Sequence, residues 1–158
     1  MAKKKIDKSL TNFYKNKKVF ITGHTGFKGI WLTNSLLSFG AKITGYSLKD
    51  EKITNYKKNT DYKKVNNIFS NILDFAKLEL EFKKAKPQIV FHLAAQSLVI
   101  KSINDPKKTI ETNLNGTLNI LEVCRKSSNV KSAVIITSDK CYHNKEIMKG
   151  YSESDELG

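Results

Sequence analysis

Two cysteines, two prolines and one tryptophan in 158 residues remove several kinds of protein from consideration. Cys124 and Cys141 are too few for a disulfide framework and too loosely spaced for a metal knuckle, so a reducing, cytoplasmic setting is expected. His24, His92 and His143 have no ligand spacing, and no structural metal is expected. No apolar run approaches the roughly 20 residues of a membrane span. The lysine-rich start, MAKKKIDKSL, leads into no apolar stretch and is therefore not a secretory signal. Acidic side chains are scarce as well: 15 stand against 28 basic ones, for a formal charge of +13. Such a balance raises the question of nucleic acid, because a basic surface gains from counterion release. The lysines, however, are scattered in small groups such as Lys17-Lys18, Lys57-Lys58 and Lys107-Lys108, with no stripe interleaved with aromatics. Solvated lysine faces are the expectation, with no nucleic-acid and no membrane partner. The charge can still draw in an anionic nucleotide.

What is present is an alternation of periods. Residues 1–16 are polar and read as a loose arm; residues 17–158 read as one dinucleotide-binding domain. KVFIT at 18–22 is a short buried strand, followed from Phe27 by helical spacing on Ile30, Trp31, Leu36, Leu37 and Phe39, with Gly40 as the helix stop. Residues 41–47 form a second strand, 48–64 a polar loop with a short helix, and 65–70 a weaker third strand. Asp74 caps a helix to about residue 85, ended by Pro87. Residues 88–92 give a fourth strand. Asp105-Pro106 starts a helix reaching about residue 126, and AVIIT at 133–137 gives a fifth strand. Strands apolar throughout are buried on both faces. The predicted fold class is α/β, a doubly wound parallel sheet with right-handed crossovers.

In such sheets ligands bind beyond the carboxyl ends of the strands. Gly23, Gly26 and Gly29 fall between the first strand and the first helix, where glycines allow the tight turn, the approach of a pyrophosphate and close packing. The helix start then offers free amides to the phosphates. Lys28 either adds charge there or is an ordinary exposed lysine. At the end of the second strand stand Ser47, Lys49 and Asp50, with no acid where the simplest fingerprint wants one. NAD against NADP is therefore open on these residues. His92-Leu93-Ala94-Ala95 follows the fourth strand; His92 reads as a satisfied, half-buried histidine rather than a catalyst. Thr137-Ser138-Asp139-Lys140 follows the fifth, and its hydroxyl, carboxylate and ammonium suit proton transfer to and from a sugar.

These segments resemble the extended short-chain dehydrogenase/reductase family: TGHTGFKG at 22–29, HLAA at 92–95, Asn113 in N-x-x-G-T at 113–117, and the Thr-Ser strand end at 137–138. Within that family, GHTGFKGIWL at 23–32, HLAAQSLV at 92–99 and TSDKCY at 137–142 resemble the CDP-glucose 4,6-dehydratases. The resemblance implies NAD as cofactor, CDP-glucose as substrate, an internal redox cycle with loss of water, and a homo-oligomer at full length. It implies a cofactor site of Gly23, Thr25, Gly26, Phe27, Lys28, Gly29, Asn71, Ile72, Leu93, Ala94, Ala95, Asn113 and Thr137. Ser138 would hold the C4 hydroxyl, Asp139 would help the C6 hydroxyl leave, and Lys140 would serve the C5 proton step. The family's catalytic Tyr-x-x-x-Lys occurs only as Tyr14 with Lys18, ahead of the first strand, and no substrate domain follows. The expectation is an N-terminal part of such an enzyme, inactive by itself, with the fifth strand an exposed edge, the helix at 106–126 lacking its dimer companion, and poor solubility. Three other readings stand beside it: another nucleotide-sugar epimerase or dehydratase of the same family, a non-catalytic dinucleotide-binding module, and a nucleic-acid-binding protein.

Overall fold

A computed structural model describes residues 8–49, 52–138, 141–146 and 148–158. Five strands form a single parallel sheet in the order β3-β2-β1-β4-β5: β1 (Lys18–Thr22), β2 (Lys42–Ser47), β3 (Val65–Phe69), β4 (Ile89–His92) and β5 (Ser132–Ile135). The order reverses at β1, which is flanked by β2 and β4.

The sheet's two faces explain why its strands lack a polar alternation. Successive side chains of a strand point to opposite sides. Phe20 of β1, with Tyr46, Ile68 and Val90, packs on one side against Leu78 and Phe82 of α4 (Phe75–Ala85) and Ile120 and Val123 of α7 (Gly116–Arg125). Val19 and Ile21, with Ile43, Val65 and Ile89, pack on the other side against Leu36 of α2 (Phe27–Ser38). Both sides of β1 are buried, so both must be apolar. Across the first face, Lys126 ties α7 to α4 through Glu79 at 3.2 Å and lies over the Phe75 ring.

Helix ends follow local chemistry. At the end of α2, the amide of Gly40 donates to Leu37 and that of Ala41 to Leu36, both at 3.0 Å, with Gly40 at φ +79°. That pair of bonds is a Schellman closure, which needs the left-handed residue glycine supplies. Asp74 caps α4 by accepting from the Lys77 amide, and α4 ends at Lys86, just before Pro87. Asp105 caps α6 (Pro106–Ile110) in the same way through the Lys108 amide.

Three elements depart from expectation. Residues 8–14 are a helix, α1, rather than loose, and Tyr14 at its end stacks on Phe39 with ring centres 6.1 Å apart. A short helix, α5 (Val99–Asn104), precedes α6. The helix expected at 106–126 does run unbroken through α6 and α7, but the segment between them, Glu111–Asn115, is a π-turn. Residues 48–64 contain α3 (Lys52–Asn59) and a 3₁₀ turn at Tyr62–Lys64, as their mixed pattern suggested. No helix among the described residues is long and apolar enough to cross a membrane.

Candidate functional site: a cleft at the carboxyl ends of the strands

A cleft of about 960 Å³ opens where the strand order reverses, bordered by the segments following β1, β2, β3, β4 and β5. Its floor begins at the glycine turn. Gly23 has φ +70°, and a Cβ there would stand 2.8 Å from the backbone of Leu93 and Ala94, so the turn and the end of β4 can touch only because no side chain intervenes. Gly29 lies over the same turn: a Cβ would collide with the Gly23 carbonyl oxygen and the His24 backbone. Gly26 is different. Beyond its chain neighbours, a Cβ there would meet nothing but the Gly23 carbonyl oxygen, at 3.3 Å, and Gly26 lines the cleft. Of the three glycines Gly26 is thus the least confined by the protein itself, and it leaves room on the cleft wall for a ligand to come close.

Gly26 is also the N-cap of α2 and offers no side chain to the leading amides of that helix. Those amides carry the helix's partial positive charge, and Lys28 stands beside them on the cleft wall. The arrangement fits the diphosphate of a dinucleotide.

The remaining walls are polar at chosen points. Thr25 donates to Ser47 at 3.1 Å, joining the glycine turn to the end of β2. Tyr46 reaches the Asn71 carbonyl at 3.2 Å, and Asn119 of α7 holds the Ile72 carbonyl at 3.0 Å, fixing the loop after β3. Asp50, at the end of the second strand, lies outside the described residues.

The buried histidine of the turn serves the loop's packing. His24 is fully buried, its ring edge-on to Tyr56 and its Nε2 3.1 Å from Asn67 Oδ1, and a Cβ on Gly45 would strike the ring. Burial pushes its pKa down to about 4, with the Asn67 contact opposing weakly. Because Asn67 Oδ1 also accepts from the Tyr56 hydroxyl at 2.8 Å, the His24 ring donates through Nε2. His92, expected half-buried, is buried almost completely at 2% exposure, and burial pushes its pKa to about 4 as well.

Of the residues singled out in the sequence, Gly23, Thr25, Gly26, Phe27, Lys28, Gly29, Asn71, Ile72, Leu93, Ala94, Ala95 and Thr137 all line this cleft. Asn113 does not. It stands behind the wall, where its side chain accepts from the Gln96 amide at 2.8 Å and donates to the Gln96 carbonyl at 2.9 Å. Ser138 is exposed and follows Thr137 directly at the rim, on the same side of the sheet as the glycine turn. Asp139 and Lys140 lie outside the described residues. Tyr14 and Lys18 are far from the cleft: Lys18 opens β1 and borders a smaller hollow of about 550 Å³ at the amino ends of the strands. Sequence reasoning missed Lys107, Lys108, Glu111 and Thr112, which bring α6 and the π-turn to the cleft. Their helical spacing reads as an ordinary solvated face, and only the long-range packing of α6 reveals the other role.

Known proteins share this architecture. A family described as GDP-mannose 4,6 dehydratase matches residues 20–156. The CDP-glucose 4,6-dehydratase of Salmonella typhimurium is 42% identical over 157 residues, covering 97% of this chain and 42% of that protein. Among solved structures, an epimerase from Methanothermobacter thermautotrophicus superposes with a TM-score of 0.81 at 26% identity, over 93% of this chain and 43% of the other. A UDP-glucose 4-epimerase from Thermus thermophilus in complex with NAD gives 0.76 at 27% identity, over 89% and 44%. The chain thus spans less than half the length of the relatives it matches. Its glycine turn, its switch-point cleft and the family match across 20–156 agree: the chain belongs to the GDP-mannose 4,6-dehydratase family of nucleotide-sugar enzymes.

Proposed function

We propose that this chain is the NAD-binding half of a CDP-glucose 4,6-dehydratase. The observation that carries the reading is that the glycine turn after β1 and the Ile136-Thr137 segment after β5, directly ahead of Ser138, border one cleft, in a chain 42% identical to an enzyme of that name. NAD, when bound, supplies a hydride acceptor at C4 of the glucose and a hydride donor at C6, so that the net change is loss of one water.

The chain's own residues bind, orient and move protons. The leading amides of α2 and Lys28 hold the diphosphate, and the Ala94-Ala95 backbone lets the cofactor lie close. Ser138 hydrogen-bonds the C4 hydroxyl of the sugar. Asp139 gives a proton to the departing C6 hydroxyl, and Lys140 takes the C5 proton once the neighbouring ketone has acidified it. The hydroxyl at C4 needs a further base, and the only Tyr-x-x-x-Lys of this sequence, Tyr14 with Lys18, is at the wrong end of the sheet to supply it. The full-length enzyme works as a homo-oligomer through the exposed stripe Ile110, Leu114, Leu118 and Leu121, in the cytoplasm, where two free cysteines are at ease.

Two measurements test this. Quenching of Trp31, one turn along α2 from the cleft residue Phe27, should report saturable binding of NAD; no binding would sink the cofactor reading. A full-length protein carrying this chain should convert CDP-glucose to a 4-keto-6-deoxy product at least about tenfold faster than UDP-glucose or dTDP-glucose, a difference of roughly 1.4 kcal/mol. A C4-inverted sugar with no loss of water would favour an epimerase, the activity named for the solved relatives described above.

A further inference from the structure

His92 touches no part of the cleft, yet its surroundings connect two of its walls. The Thr22 hydroxyl oxygen accepts the Ala94 amide at 3.1 Å and shares the Leu93 amide with the Thr22 carbonyl, also at 3.1 Å. A hydroxyl oxygen has two lone pairs and one proton. His92 Nδ1 lies 2.6 Å from that oxygen. Nε2 faces the Thr117 hydroxyl at 3.0 Å, and because that hydroxyl gives its own proton to the Asn113 carbonyl, the ring's hydrogen sits on Nε2 and Nδ1 accepts from Thr22. Thr117 in turn donates to the Asn113 carbonyl at 2.6 Å, inside the π-turn, while the Asn113 side chain grips both backbone groups of Gln96.

We infer that His92 is a positioning residue: its neutral Nε2–H tautomer joins the clamp on residues 93–94 to the clamp on residue 96, and so fixes the Leu93-Ala94-Ala95 wall on which the cofactor lies. The inference rests on the cofactor reading above for its consequence, though not for the relay itself. A second proton, on Nδ1, would face an oxygen that already accepts the Ala94 amide and part of the Leu93 amide and would leave the Thr22 hydroxyl hydrogen without its acceptor, so the neutral ring is favoured. The downward-shifted pKa of this buried ring agrees. The π-turn has its reason here too: it brings the Asn113 side chain to Gln96 while its carbonyl remains within reach of Thr117.

The variants Thr117→Val and Thr117→Ser separate the relay from mere packing, since valine keeps the shape and serine keeps the hydroxyl. In the parent chain, nitrogen-15 imidazole shifts should report a single Nε2–H tautomer for His92, retained in T117S and replaced by a tautomer mixture in T117V. Without NAD present, this arm needs no ligand. NAD should bind T117S within about twofold of the parent and T117V at least about tenfold more weakly, the effect expected for one lost buried hydrogen bond. Parent-like NAD binding by a folded T117V would overturn the positioning role. An Nδ1–H or mixed tautomer in the parent would overturn the relay. If the parent binds no NAD while the tautomer behaves as stated, the cofactor reading and the role that depends on it both fall and the relay stands.

Discussion

At single residues, the site is most sensitive where a hydrogen atom is all the space allows. Gly23→Ala must place a side chain at positive φ and into the Leu93 and Ala94 backbone. Gly29→Ala meets the Gly23 carbonyl and His24. Neither obstacle is the end of a flexible side chain, so the turn itself has to move. Each substitution should cost roughly 2–5 kcal/mol of stability and abolish NAD binding, as read by denaturant melts and Trp31 quenching. Gly26→Ala should cost less stability than either, because its Cβ meets only the Gly23 carbonyl oxygen, at 3.3 Å, yet still lose most NAD affinity. Protonation gives a second residue-level expectation. His24 and His92 have folded pKa values near 4 against an ordinary value of 6.5. A depressed histidine favours proton uptake by the unfolded chain, so the stability is complete above about pH 6.5 and drains as pH falls toward 4. The slope approaches about 1.4 kcal/mol per pH unit for each ring. Glu122, which Arg125 holds at about 2, adds its own loss only in more acidic solution. Urea midpoints at pH 7.5 and 5.0 check this; a flat profile between them contradicts the burial of both rings.

Elements were legible in the sequence where their causes are local. The Gly40 closure of α2, the Asp74 and Asp105 caps and the apolar strands each depend on neighbours within a few positions. Asp105→Ala should therefore cost about 1 kcal/mol, seen as a lowered thermal midpoint, with the Lys108 amide losing its acceptor. By contrast, α1 is held by Tyr14 stacking on Phe39, a partner 25 residues away, and a polar segment gives no warning of it. The π-turn is hidden for the same reason, because a run of Ile110, Leu114, Leu118 and Leu121 fits an unbroken α-helix while Asn113 reaches back to Gln96. Asn113, read from the sequence as part of the cofactor site, holds both backbone groups of Gln96, a contact that no local pattern announces. Gly23 and Gly29 needed no such long view, since strand, turn and helix are contiguous in the chain.

On the scale of the molecule, two surfaces with different tasks lie apart. One is the cleft, walled by main chain and small side chains. The other is the apolar row on α6, the π-turn and α7, where Ile110, Leu114, Leu118 and Leu121 are 45–63% exposed, continued on α5 by Val99, Ile100 and Ile103. None of these row residues lines the cleft. Large contiguous apolar patches are uncommon on monomers. The edge strand β5 and the residue after it add Val134 and Ile136, both 39% exposed, and a parallel edge with no partner strand among the described residues invites association of a less specific kind. The two can be separated by mutation. Leu118→Lys puts a charge in the middle of the helical row without touching the sheet edge or the cleft. If the row joins two copies, sedimentation of this variant should shift toward the monomer by at least about tenfold in dissociation constant, on the order of the 1.5–3 kcal/mol that burial of one leucine contributes. NAD quenching of Trp31 should remain as in the parent. Were association instead driven by β5, the variant would sediment unchanged, and charge would have to be placed at Val134 to disperse it.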